Sequence, residues 1–555
     1  MMYDCDVIVA GGGPVGLFLA AELGKRGLSV RLFDDKAGTS THPAANANSA
    51  RTMEHFRRLG ISAEIRQLGL PHDHPTDVAY FTRLSEYELA RLTQPSWQQA
   101  MAKVREREFT WPTPEPPHRC SQLYIEPVLR RAAESGASSI LEYGATVTRI
   151  EQSDADVHVK VEYADGRPPA GLRAKYLVGC DGPRSTVRTL LGLQLAGTAG
   201  EKRDFMGGRM AAAYFSAPAL YSAIRGPRAW QYWTFNHEQR ALIISVDGQG
   251  RFVINVQLQD GQAPEASDVG RRIANAIGAD IPFELISTTV WTAGFALVAE
   301  KMLLNRVFLA GDSAHLFTPT GGLGYNTGID DAANLAWKLE AAVKGVAGTA
   351  LLNSYEIERK SAALRNTEFA RQFADSIGHV QLPKALNDDT AMGRAARESV
   401  GQYLAFHAHK EFVIPGVHLG TRYEGSPVIF TEPGSPPPDN ANLYLPTGRP
   451  GHRAPHVWLE DGSSLYDHFG KGFTLLRLGS SAGEPSIEGI SVAGCELDIK
   501  TLALDSSEAR DLYGADYVLV RPDQHIAWRG NDIGSRFNDV LSRVLGRTNG
   551  RKERN

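Results

Sequence analysis

The chain has 555 residues, which at about 150 residues per domain sets a prior of three to four domains. Lys and Arg total 59 against 63 Asp and Glu, a net charge of −4 that removes the electrostatic case for nucleic acid as main partner. Apolar residues at 42% and charged residues at 22% describe an ordinary globular mixture, and Gly 55 with Pro 30 stays below a low-complexity composition. The four cysteines, Cys5, Cys120, Cys180 and Cys495, form no CxxC, which disfavours disulfide scaffolds, zinc ribbons and dithiol sites and suits a reducing compartment. Asp4 and Asp6 precede only four apolar residues, and no apolar run nears the ~18 residues of a membrane span. The expected setting is therefore soluble and cytoplasmic, with no membrane partner.

In chain order, the first 35 residues read as one βαβ unit. Val7-Ile8-Val9-Ala10 is a buried strand, Gly11 to Gly16 a turn, 17–25 a helix, and 30–33 the second strand. A helix is expected over 51–58, closed by Gly60. The stretch 76–110 has strand character, and the proline-rich loop 111–117 separates it from a helix over 122–135. A hairpin over 157–163 and 172–178 ends at Asp181-Gly182. Residues 200–290 are rich in β-branched and aromatic side chains and read as sheet. A buried strand over 307–310, a long helix over 326–344 and a helical segment over 350–410 follow. Prolines between 424 and 455 mark a linker, and strands at 473–478, 497–504, 517–520 and 525–528 form a small α/β domain.

Three motifs carry chemistry. Gly11-Gly12-Gly13-Pro14-Val15-Gly16 is a G-x-G-x-x-G turn between a strand and a helix. Its missing side chains allow close approach to a pyrophosphate, whose charge the helix N-terminus holds. Asp34 ends the second strand, placed to accept hydrogen bonds from a ribose. In the second motif a buried strand delivers Gly311-Asp312, and Pro319-Thr320-Gly321-Gly322-Leu323-Gly324-Tyr325-Asn326 leads into a helix. Free N–H groups there suit the anionic N1–C2=O2 edge of a reduced flavin. The third, Asp181-Gly182-Pro183-Arg184-Ser185-Thr186-Val187-Arg188, is weak alone.

Together, in this order and spacing, these motifs resemble the class A flavin-dependent aromatic hydroxylases. Arg51-Thr52-Met53-Glu54-His55-Phe56-Arg57-Arg58-Leu59-Gly60 is similar to the phenolic and polyketide hydroxylase branch, and the region from Thr421 onward resembles its thioredoxin-like C-terminal domain. The implied fold is α/β: a Rossmann-like FAD-binding domain (1–75, 111–190 and 291–400) interleaved with a mostly β substrate domain (76–110 and 191–290). A linker (401–455) and a thioredoxin-like domain (456–548) follow. The resemblance implies that Gly11, Gly13, Pro14, Val15 and Gly16 flank the FAD pyrophosphate and Asp34 the adenosine ribose. It implies that Asp312 binds the ribityl chain, that Gly322, Leu323 and Gly324 offer N–H groups to the ring, and that Asn326 lies close by. Pro319 would sit near the reactive C4a carbon, and Gln122, Arg51 and Asp181 near the cofactor. Asn46 matches a position lining the phenol site.

Three departures stand out. Asp34 replaces a commoner glutamate, Asp35 follows where a basic residue is frequent, and His42-Pro43-Ala44 lacks a Pro-Arg pair whose arginine stacks on a mobile flavin in relatives. The C-terminal domain has only Cys495, so its thioredoxin-like shape implies packing or dimerisation and no dithiol chemistry; a homodimer is compatible with this.

The implied reaction is hydroxylation of a phenolic ring with NAD(P)H, NADPH favoured, and O2, through a flavin C4a-hydroperoxide. Water must be kept from such a species. Tyr232 and Trp233 are candidates to line the aromatic pocket; plain core is the competing reading. His42 and His315 are weighed as bases against structural roles, and Asp330-Asp331 as a helix N-terminal pair. The alternative is the same flavin chemistry used for epoxidation, Baeyer–Villiger insertion or oxidative decarboxylation of a polycyclic substrate. Trp230-Gln231-Tyr232-Trp233 lacks the Trp-x-Trp-x-Ile-Pro run of halogenases, and a flavin-binding protein without turnover is the reading from another class.

Overall fold

The computed structural model describes residues 3–106, 109–258, 266–478, 491–492, 495–533 and 537–547. The chain opens as the glycine pattern predicts: β1 (Cys5–Ala10), α1 (Pro14–Lys25), then β2 (Val30–Asp34). Pro14 stands at the first helical position, where its missing N–H costs nothing, so α1 begins three residues before the expected start. After α2 (Ala50–Leu59), which Ser49 caps and Gly60 ends in a left-handed conformation, the chain leaves for β3 (Val78–Phe81) and β4 (Glu88–Leu92). It returns through α3 (Gln122–Glu134), β5 (Ser139–Tyr143), a hairpin and β6 (Ala170–Gly179). It leaves again for β7 (Gly208–Ser216), β8 (Gln231–Phe235), β9 (Arg240–Ser245), β10 (Arg251–Gln257) and β11 (Glu284–Ala293). It comes back at β12 (Val307–Leu309), followed by α4 (Leu323–Val343), α5 (Thr349–Gly378) and α6 (Ala391–Phe412).

The first sheet holds five parallel strands in the order β12–β6–β1–β2–β5, with Val7 opposite both Tyr176 and Val30. Parallel strands covered on both faces must be apolar throughout, and Val7, Ile8 and Val9 are fully buried. The second sheet has seven strands in the order β11–β7–β10–β9–β8–β3–β4. The two excursions therefore meet in one sheet, joined where β8 lies parallel to β3, Trp233 opposite Tyr80. Side chains alternate across its strands. One face packs Tyr80, Tyr214, Trp233 and Leu242 with Leu70 and Phe412; the other packs Phe81, Tyr232, Ile243 and Ile254 with Ile273.

One expected boundary is corrected. Residue 400 falls inside α6, which starts at the Thr390 cap and packs along β4 of the second sheet. Nothing between 391 and 412 breaks a helix except Gly393 and Gly401, and each is glycine because a backbone carbonyl presses on it, Asp388 O and Leu89 O. The last domain is a four-stranded mixed sheet, β14 (Ile499–Leu504), β13 (Phe473–Leu478), β15 (Tyr517–Val520) and β16 (Ile526–Gly530), with helices at Ser507–Tyr513 and Phe537–Val544. The strand expected over 497–504 is two residues shorter, and the side chain of Cys495 lies outside the described residues.

Buried ions dock this domain. Arg521 donates to Glu358 at 2.8 and 2.9 Å and also to Asp523, while Lys338 reaches Glu358 at 2.7 Å. Arg453 pairs with Glu54 on α2, and Arg51 donates to Gln524 at 2.7 Å. Burial opposes ionisation of Glu54, but Arg453 and Arg51 outweigh it and hold its carboxyl at about 2. Burial holds His55 near 4 and His118 and His525 near 3, neutral in the fold.

All four groups bind fewer protons folded than unfolded in acid, so stability rises with pH over their range. The histidine contribution is complete above the unfolded value of 6.5 and shrinks as pH falls below it; the Glu54 contribution shrinks from 4.5 toward 2. The expected outcome is a thermal midpoint that is level above pH 7 and falls continuously from pH 6.5 downward. A midpoint unchanged between pH 7 and 5 in calorimetry would contradict the neutral histidine core.

Candidate active site

The two glycine corners meet. A Cβ on Gly16 would lie 1.9 Å from Gly11 O, and one on Gly11, at φ +110°, would strike the Cys180–Asp181 backbone at 2.3–2.7 Å. Val15 bridges to the second corner. A Cβ on Gly311 would lie 3.0 Å from Val15 Cγ2, and one on Gly328 would lie 2.6 Å from Val15 Cγ2 and 3.0 Å from Gly311 Cα. The turn after β1, the end of β6 and the turn after β12 are thus three walls of one groove at the carboxyl ends of parallel strands, where open α/β sheets bind ligands.

Gly13 faces open space, with nothing within 4 Å of a hypothetical Cβ, and caps α1 without a side-chain hydrogen bond. The first N–H groups of α1 are left for a ligand by the geometry of any helix start. Asp34 accepts from the N–H of Gly12 at 2.5 Å and of Lys36 at 2.9 Å. It therefore shapes the turn directly, and its carboxylate retains acceptor capacity toward a ribose.

At the other corner, Asp312 opens on the groove yet is walled by protein, and this desolvation pushes its carboxyl up, offset in part by His315. Its side chain makes no hydrogen bond to any described residue. Gly322 starts α4 in a left-handed conformation (φ +65°) without a side-chain cap, and a Cβ on Gly324 would lie 3.8 Å from Asp312 Oδ1. An unpartnered acceptor beside uncapped donors fits a hydroxylated chain carrying an electron-rich ring edge, as FAD does.

Other expected residues build the groove without facing it. Asn326 Oδ1 accepts from Ser49 N–H at 2.8 Å and Thr52 Oγ1 at 2.7 Å, and Nδ2 donates to Ala47 O at 2.8 Å and Gly322 O at 2.6 Å. All four of its polar positions are taken, so Asn326 pins Ala47 against the Gly322 corner rather than binding cofactor. Arg51 is a further correction: its guanidinium donates to Glu54, Gln524 and the Asp523 carbonyl, toward the C-terminal domain. Asp181 caps a short helix, accepting from Ser185 Oγ at 2.6 Å and Val187 N–H at 2.9 Å. Gln122 donates its N–H to Ala45 O at 2.6 Å and its side chain to Glu126, fixing the 45–47 segment.

Asn46 is half-buried, its amide reaching only Ala44 O at 3.4 Å, and Pro319 is exposed at the entrance to the second corner. Trp233 lies on the face of the second sheet that holds Tyr80 and Tyr214, stacked on Tyr80 at 6.0 Å. Tyr232 does not: the alternation of β8 sends it into the opposite core, where its hydroxyl accepts from Ala229 N–H at 2.7 Å. The two residues cannot share one pocket, and Tyr232 is removed from the site.

His42 is tied to Ser287 Oγ at 2.8 Å on β11, and burial lowers its pKa. His315 is fully buried on Asp331 at 2.7 Å and stacked on Phe317. Asp330 and Asp331 are held by Arg359 and lie past the first turn of α4, so ion pairing fixes them and the helix dipole does not. The residue that the motifs gave no sign of is Glu411 on α6, whose carboxylate accepts from Gly321 N–H at 2.9 Å.

The glycine corners and the unpartnered Asp312 define a dinucleotide-binding protein by class. The FAD binding domain family matches residues 4–370, and the family described as aromatic-ring hydroxylase, C-terminal matches 447–548. The chain belongs to the class A flavin-dependent aromatic hydroxylases, in the phenolic and polyketide branch with a thioredoxin-like C-terminal domain. It is 30% identical to aklavinone 12-hydroxylase RdmE of Streptomyces purpurascens over 98% of this chain and 99% of that one. It is 29% identical to 2,4-dichlorophenol 6-monooxygenase of Delftia acidovorans, over 98% of each. A structure of RebC soaked with chromopyrrolic acid superposes with a TM-score of 0.88 at 32% identity, covering 99% of this chain and all of that one.

Asp312→Ala is expected to weaken FAD binding about 10- to 100-fold, the effect of one hydrogen bond to a charged acceptor. Fluorescence titration of the apoprotein measures it, and wild-type affinity would show that Asp312 is not the ribityl acceptor. Tyr232→Phe should leave FAD affinity and turnover within about twofold of wild type, because the lost hydroxyl faces Ala229. A fall in kcat with unchanged thermal midpoint would return Tyr232 to the site.

Proposed function

We propose that this protein hydroxylates the phenolic ring of a small aromatic molecule, using NAD(P)H and O2. The observation that carries the proposal is the continuity of the groove: two glycine corners joined through Val15, with unpartnered Asp312 between them. In this reading Gly13 and the N–H groups of Val15 and Gly16 hold the pyrophosphate, Asp34 the adenosine ribose and Asp312 the ribityl chain. The N–H groups of Leu323 and Gly324 meet the ring. FAD, when bound and reduced, supplies the electrons and the electrophilic oxygen that a phenol cannot draw from dioxygen unaided.

The chain's own residues do three things. Asp34, by holding Gly12, and Asn326, by holding Ala47 and Gly322, fix both ends of the groove before any ligand arrives, so little ordering remains on binding. The face of the second sheet carrying Trp233, Tyr80 and Tyr214 offers aromatic rings to an aromatic substrate and few groups able to solvate it. Asn46 accepts and donates hydrogen bonds and cannot take a proton at neutral pH; its place is to orient a phenolic oxygen. Support for a phenolic substrate comes from the dichlorophenol relative, whose name gives a phenol as its substrate.

A second reading rests on the likeness to RebC, described as a rebeccamycin biosynthetic enzyme. In it the same cofactor chemistry serves epoxidation, Baeyer–Villiger insertion or oxidative decarboxylation of a polycyclic molecule. One experiment separates the two. A panel of monocyclic and polycyclic phenols is offered with NADPH and then NADH, recording reductant consumption, peroxide release and product mass. The expected result is phenol-stimulated NADPH consumption exceeding peroxide release, with a product heavier by one oxygen. Stimulation by no phenol, or loss of carbon dioxide from the product, would overturn ring hydroxylation.

A further inference from the structure

Helix α6 lies outside the residues matched by the FAD binding domain family, yet it ends against the cofactor loop. Its Glu411 is 2% exposed. Oε1 accepts the N–H of Gly321 at 2.9 Å. Gly321 and Gly322 have φ of +71° and +65°, so the elbow that turns the chain into α4 uses two consecutive left-handed residues. Only glycine adopts that conformation at little cost, and two glycines in a row leave the elbow without side chains to hold it. It is held from outside instead, by Thr320 Oγ1 on the Ala370 carbonyl at 2.7 Å and by Glu411 on the Gly321 amide.

The second oxygen of Glu411 is unusual. His407 Nε2 lies 2.8 Å from Oε2, an ion-pair contact off the line that a hydrogen bond needs, so neither atom has a hydrogen-bond partner among the described residues. The buried Tyr80 hydroxyl also has none. His407 Nδ1 meets Ser376 Oγ at 3.0 Å, which turns the ring. Tyr80 stacks on Trp233 in the wall of the proposed substrate chamber. The carboxylate is thus fixed from two sides, by the Gly321 N–H at 2.9 Å and by the His407 ring at 2.8 Å, behind the elbow. A bond to a charged acceptor is also stronger than the neutral bond this peptide needs merely to be satisfied.

We propose that Glu411 is a positioning residue for the flavin: it sets the Gly321–Gly322 elbow, and its charge, close behind the ring-binding N–H groups, lowers the reduction potential of the bound cofactor. The proposal rests on the reading that this elbow receives FAD, and not on the identity of the substrate. A negative charge near a ring that becomes anionic on reduction disfavours the reduced form. The α4 N-terminus acts in the opposite sense, and Glu411 sets how far.

The test uses holoenzyme of Glu411→Gln and Glu411→Ala, with FAD affinity by fluorescence, the visible spectrum of the bound flavin, and the midpoint potential by dye equilibration. The amide of Glu411→Gln still accepts from Gly321, so its FAD affinity should stay within about threefold of wild type while its potential moves positive. Glu411→Ala should bind FAD about tenfold or more weakly, with an altered spectrum. Unchanged affinity and spectrum in Glu411→Ala, or an unchanged potential in Glu411→Gln, would overturn the proposal. If Glu411→Ala does not fold, the potential of Glu411→Gln decides alone. No substrate enters these measurements, so a phenol panel without turnover does not alter their outcome.

Discussion

The contact on which the site depends is that of one valine with two glycines. Val15 projects from the first turn of α1 onto Gly311 and Gly328, where a methyl group would meet it at 3.0 and 2.6 Å. That contact sets how near the turn after β1 stands to the turn after β12, and so the width of the groove. Residues nearly 300 positions apart in the chain are brought into register by it, while Gly16 against Gly11 and Gly11 against Cys180 fix the third wall. The mouth of the groove is made of backbone because side chains are excluded where these elements meet, and backbone N–H groups at helix starts are what a diphosphate and an electron-rich ring edge require.

Around this groove the protein separates two kinds of polar chemistry. In the groove, acceptors and donors are left unpartnered: Asp312, the start of α1, the start of α4. Behind it, buried charges are paired almost to completion, as with Arg359 on Asp330 and Asp331, and Arg521 and Lys338 on Glu358. Such pairs add little net stability relative to apolar packing, but breaking one leaves an uncompensated buried charge. They specify a single docking of the C-terminal domain on α2, α4 and α5. Arg51 and Asp330 belong to that network and also flank the groove-building residues Thr52 and Asn326, so the docking reaches the cofactor site through positions one apart on α2.

What could be read from the sequence follows from how local each signal is. The βαβ start, the groove glycines and Asp312 were legible because spacing along a few residues states their geometry: a strand, a tight turn and a helix start have little freedom. Trp233 and Tyr232 were legible as aromatic strand residues, but the sequence of β8 alone does not say which core each enters, and only the packing on the two faces of the sheet separates Trp233, beside Tyr80 and Tyr214, from Tyr232. Arg51 and Asn326 carried the right neighbourhood and the wrong role, because a resemblance transfers position and not hydrogen-bond partners, and their partners come from residues 524 and 47. The boundary near 400 was misplaced because proline content marks where a linker begins to bend, whereas α6 continues as helix to Phe412 on the strength of packing against β4.

Glu411 had no signal at all, for a reason that bears on how the site works. On a helix, a buried glutamate among Leu404, Ala408 and Phe412 looks like a break in an apolar stripe, and the histidine one turn before it accounts for only one of its two oxygens. The groups its carboxylate meets are a glycine amide 90 residues upstream and the His407 ring one helical turn before it. The helix that carries it touches β3, β4 and the loop at Thr320–Gly322 at once. It is thus an element through which a change in the second sheet can be felt at the Gly321–Gly322 elbow. Coupling of that kind needs an element in contact with both sites, and the interleaving of two domains in one chain supplies it: the second sheet is built from excursions of the first domain, so a helix closing the first domain must lie across the second.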